Sequence, residues 1–123
     1  MARGDVGNGM MLRAKSNPYE KYMPGGMDDS NGFKESLTQY GQAGDVYRHI
    51  LFFGGGTLTR ANPVLWEAER IDRKQAEGGR KESITELEDD RAGRRVGGLM
   101  DQAFDGKFNR NGLRDALRKE LCK

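Results

Sequence analysis

Cysteine is nearly absent: Cys122, one position from the C-terminus, is the only one in 123 residues. A single thiol makes neither an internal disulfide nor a Cys-based zinc site, so stability has to come from packing. Histidine is just as scarce, with His49 alone. That removes H-x-x-x-H and H-E-x-x-H, and no D-x-D occurs either, so neither a metal nor an organic cofactor is expected. Long apolar runs are missing too. The longest is Ile50-Leu51-Phe52-Phe53, far short of a membrane span, and the first residues contain no stretch of signal-peptide length. A chain of this kind that leaves its cell is expected to rely on a longer precursor or a dedicated secretion machine. An excess of one charge is lacking as well: 21 Lys+Arg against 19 Asp+Glu leave +2. Nucleic acid is therefore not expected as the main partner.

What the chain has in quantity is glycine and charge. Eighteen glycines are about twice the ordinary share of ~7%, and call for either loops or close backbone approach. The length suits one domain with one modest core. Residues 1–43 hold two of the three prolines and scattered Met, Tyr and Asn without a sustained period. They read as a loop-rich arm, with one helical turn near Phe33 and with Tyr19, Tyr22, Met23 and Met27 as its packing residues.

From residue 44 the pattern becomes helical, and the expected fold class is all-α: about four helices, with one central and buried. The first runs 45–58, apolar around nearly its whole circumference, as a central helix should be. Its run Gly54-Gly55-Gly56 points to close helix packing; it cannot be a phosphate loop, since no G-x-x-x-x-G-K-[ST] exists. The second spans 62–77, opened by Asn62-Pro63 and stopped by Gly78-Gly79, with Val64, Leu65, Ala68, Ile71 and Gln75 predicted inward. The third begins at Ser83-Ile84-Thr85-Glu86, which has the form of a capping box. On it, Asp89 shares a face with Ala92, Gly93, Val96 and Met100. The fourth covers 111–121.

The polar residues that stand out are those on apolar faces. Arg48 cannot shed its charge and needs an anionic partner; Asp89 is the leading one, with Glu67 and Glu69 as further candidates. His49 suits general acid or base work by its ordinary pKa of ~6.5. Two arrangements follow. In one, Arg48 and Asp89 form a sealed buried pair. In the other, Arg48 and His49 stand at one rim of a pocket with Glu67 or Glu69 and Asp89 or Asp90 opposite, and a substrate phosphate or carbonyl between them.

The run GDVYRHILFFGGGTL, followed by ESITELEDDRAGRRVGGLM and ending in ALRKELC, resembles helical domains of unknown function in bacterial secreted and polymorphic-toxin-type proteins. The matching positions are Arg48 and His49, Asp89 and Asp90, and Ala92, Gly93, Arg94, Val96 and Gly97. Asp89-Asp90 stands where Asn is common in the related pattern. The resemblance implies a small α-helical module at the end of a delivered protein. The function expected is a bacterial effector or toxin-type domain of hydrolase character, with a cognate inhibitor protein as partner. The alternative is a non-catalytic interaction or structural module in which the same residues form a buried polar lock.

Overall fold

The computed structural model describes residues 2–16, 32–39 and 43–123, and of residues 16 and 43–45 the backbone alone. Tyr19, Tyr22, Met23 and Met27 lie outside the described residues. The fold is all-α, with six helices among the described residues: α1 Arg3–Ser16, α2 Glu35–Thr38, α3 Ala43–Thr59, α4 Asn62–Glu77, α5 Lys81–Phe104 and α6 Arg110–Leu121. The only extended pairing among the described residues is one bridge between Phe33 and Cys122, which ties the start of α2 to the end of α6.

The centre is α3. Val46, Ile50, Phe53 and Leu58 are buried on different sides of it, as an apolar circumference requires. Its three consecutive glycines, turned about 100° from one another, each face a different helix. A Cβ on Gly54 would stand 3.3 Å from the Gly93 carbonyl oxygen of α5. One on Gly55 would strike the backbone of Gly7 in α1, and one on Gly56 would lie 2.5 Å from Leu65 of α4. The run thus continues the helix and lets three neighbours approach its backbone at one level.

Several local expectations change. Residues 3–16, expected within the arm, form α1, which packs along α3 with Ala14 buried. Arg3 pins its start to Asp101 and Asp105, both at 2.7 Å. The capping box is not formed: α5 begins at Lys81, and the buried Ser83 hydroxyl donates to Gln75 Oε1 at 3.3 Å while accepting from Arg80. On α4 the buried residues are Leu65 and Asp72, whereas Val64 and Ile71 are 49% and 44% exposed. The inward face therefore sits about one position away from the apolar stripe, and it carries a carboxylate.

Helix α5 is buried on more than one side. Asp89, Asp90, Ala92, Gly93, Val96 and Gly97 are all enclosed, because α3, α4 and α6 each pack on it. Gly79, at φ +94°, makes the tight turn between α4 and α5 that only glycine adopts without strain.

Candidate active site

The site is assembled by three helices at the level just above the glycine contacts. Gly93 of α5 lies against Phe53 and the His49 carbonyl of α3, where a Cβ would come within 2.7 and 3.2 Å of them. One turn earlier on each helix, this close approach brings His49 to Asp90. Nδ1 of His49 and Oδ1 of Asp90 share a hydrogen bond of 2.7 Å, with the imidazole 17% and the carboxylate 1% exposed. The imidazole lies parallel to the Phe53 ring, with centroids 6.5 Å apart, so its orientation is fixed from two sides.

Helix α4 runs back along α5 and adds Asp72. One ligand-type atom each from His49, Asp72 and Asp90 lies within 4.8 Å of the others. Glu86 borders the same group and is drawn outward by Arg80 at 3.2 Å. Beyond Asp90 the seam is closed by an ion pair between Glu69 of α4 and Arg94 of α5, whose guanidinium lies 5.9 Å over the Phe53 ring.

Burial dominates the electrostatics. Asp72 is pushed up to about 7, first by loss of solvent and then by the hydrogen bond and charge of Asp90, with His49 opposing. Asp90 is likewise pushed up to about 7, first by burial; Glu69 and Glu86 add to the rise, and Asp72 and Arg94 work against it. Burial raises Glu86 as well. Oδ2 of Asp90 is buried with no hydrogen-bond donor among the described residues. The Asp72 carboxyl beside it can satisfy that oxygen only by bringing a proton, since two ionised carboxylates are both acceptors.

The group opens on a cavity of about 360 Å³ lined by Ala14 and Lys15 of α1, Arg48, His49, Phe52 and Phe53 of α3, and Ala68, Ile71 and Asp72 of α4. Its walls are largely apolar, with His49, Asp72 and two cationic side chains among the lining.

Of the residues singled out from the sequence, His49 and Arg48 line this cavity together. Arg48 is half-buried and borders the cavity. Asp89 is buried at 2% but lies about 100° around α5 from Asp90, and it is Asp90 that meets His49. Glu67 is exposed on the outer side of α4, bonded to Arg70 at 3.0 Å. Sequence reasoning missed Asp72 and Lys15. Asp72 had one available signal: it falls seven positions after Leu65, hence on the same face of α4.

Comparison with known proteins found no matching family model, no matching curated protein and no matching solved structure.

Proposed function

We propose that this chain is a bacterial effector or toxin-type domain that hydrolyses a small anionic substrate in the α1–α3–α4 cavity. The observation that carries the reading is the His49–Asp90 hydrogen bond, with His49 lining an open cavity. A polar lock with a purely structural role would be sealed, whereas His49 keeps some exposure and lines open space.

The roles follow from position. Lys15 and Arg48 are the cationic residues of the lining among the described residues and receive the anionic part of the substrate, Arg48 through its planar fork of donors. Asp90 holds the imidazole by Nδ1, which directs Nε2 to the reacting water. The oxygen of that water bonds to the electrophilic carbon or phosphorus; its proton passes to His49 and then to the departing oxygen or nitrogen. Asp72 supports the pair from α4. The apolar walls, with Phe52 and Ile71 among them, exclude bulk water and strengthen these interactions.

Expression in bacteria, directed once to the cytoplasm and once to the periplasm, tests the reading. Wild type should inhibit growth in one compartment. His49→Ala should not, while keeping its helical circular dichroism, because loss of an acid/base group costs about 10²–10⁴ in rate. Harmless wild type in both compartments, or a folded His49→Ala as harmful as wild type, refutes it.

A further inference from the structure

Three carboxylates and one imidazole converge where α3, α4 and α5 meet. Of the basic side chains nearby, Arg94 is paired with Glu69, and Arg80 with Glu86, Ser83 and Gln75, while Lys15 and Arg48 line the cavity beside His49 and Asp72. Asp90 is 1% exposed, and among the described residues its Oδ2 has no hydrogen-bond donor other than a protonated Asp72 carboxyl. A buried carboxylate oxygen in that state lacks either a proton or a cation. The neighbouring donor set of one imidazole nitrogen and two aspartate oxygens, all within 4.8 Å, suits a cation.

We infer that His49, Asp72 and Asp90 form a binding site for one divalent transition-metal ion of the zinc or manganese class. The inference deepens the hydrolase reading, since such an ion would polarise the same attacking water, with His49 then serving as a ligand. Imidazole with carboxylates favours these ions over calcium and magnesium, which prefer all-oxygen sets. Tetrahedral ligand atoms at about 2.0–2.2 Å from an ion stand ~3.3–3.6 Å apart, so separations of up to 4.8 Å have to close by up to about 1.2–1.5 Å on binding, through side-chain rotation. Three protein ligands leave further coordination positions free, as hydrolytic ions require. Three surrounding features fit the role. Phe53 stacks against the imidazole, Glu86 borders Asp72, and the cavity lined by His49 and Asp72 gives an entry path.

The test uses the full chain carrying Cys122→Ser, which removes the exposed terminal thiol as a competing zinc ligand. After chelator treatment, the protein is titrated with Zn²⁺, Mn²⁺ and Co²⁺ by calorimetry and thermal melting, with Ca²⁺ and Mg²⁺ as controls. One Zn²⁺ or Mn²⁺ per chain, a rising melting temperature and a visible Co²⁺ absorption band are expected. Asp72→Asn and His49→Gln should each weaken binding by more than the ~10–100-fold that loss of an outer-sphere partner costs. Two conservative variants on different helices guard against a single failure to fold. No saturable binding by the wild-type site, or unchanged binding in both folded variants, overturns the inference, as does preference for Ca²⁺. Growth inhibition that persists without metal binding would sink the ion site and spare the hydrolase. Stoichiometric binding by a harmless protein would do the reverse.

Discussion

Phe53 of α3 rests directly on Gly93 of α5, where a Cβ would stand 2.7 Å from the Phe53 Cβ. The same contact holds the two helices at the separation that lets His49 reach Asp90 at 2.7 Å. Gly93→Ala should therefore destabilise the chain by about 1–3 kcal/mol through overpacking and lengthen the His49–Asp90 contact. Gly98→Ala, five positions on with nothing within 4 Å of its Cβ, should be neutral or stabilising by up to ~1 kcal/mol. Denaturant unfolding of the two variants measures both, and equal effects would show that the helices do not meet at Gly93.

The register of α4 gives a second contrast. Leu65 is fully buried, against Gly56, and its neighbour Val64 is 49% exposed. Leu65→Ala should cost about 2–5 kcal/mol, as cavity-forming changes do, while Val64→Ala should stay within ~0.5 kcal/mol. The opposite order would restore the stripe that apolar spacing alone suggests and would turn Asp72 away from His49.

Stability should depend on pH in a direction fixed by the two aspartates. Both are pushed up to about 7, so the folded chain retains protons that the unfolded chain gives up near ~3.9. Their contribution is complete below about pH 4 and is lost as pH rises through about 7. In chelator-treated protein the melting temperature should fall between about pH 5 and 8, and fall less in Asp90→Asn, whose amide stays neutral. His49, Glu69, Glu86, Arg80 and Arg94 face the group in both proteins, so the difference between the two profiles belongs to the carboxyl. Parallel profiles would contradict it.

How much of this was legible in the sequence depends on what each helix buries. The central helix could be read because its apolar residues go all the way round, and α4 because Pro63 and Gly78 mark its ends. Helix α1 was hidden by its own glycines: Gly4, Gly7 and Gly9 lower helix propensity, yet at Gly7 a Cβ would strike Thr59 at 2.6 Å. The packing that needs a glycine there also stabilises the helix that it weakens. Asp72 left only its spacing from Leu65 as a trace, and the choice between Asp89 and Asp90 left none, for a related reason. Hydrophobic periodicity counts apolar residues, and a buried polar site subtracts them from the face that carries it. Leu65, Glu69 and Asp72 thus scored as a poor stripe, and Val64 and Ile71 as a better one.

The glycine run also bears on how the chain comes apart. Gly54, Gly55 and Gly56 give one turn of α3 to α5, α1 and α4 at once, so a helix that leaves exposes the backbone on which the other two lean. Sub-global opening, in which one helix frays while the rest holds, has little room here. Native-state hydrogen exchange should find the mid-helix amides of α1, α3, α4 and α5 opening with one common free energy. A separately exchanging α1 would mean that the junction at Gly55 is not shared. Metal, substrate or an inhibitor bound at His49 would then steady the whole bundle, including the distant Arg3–Asp101 end, without touching it.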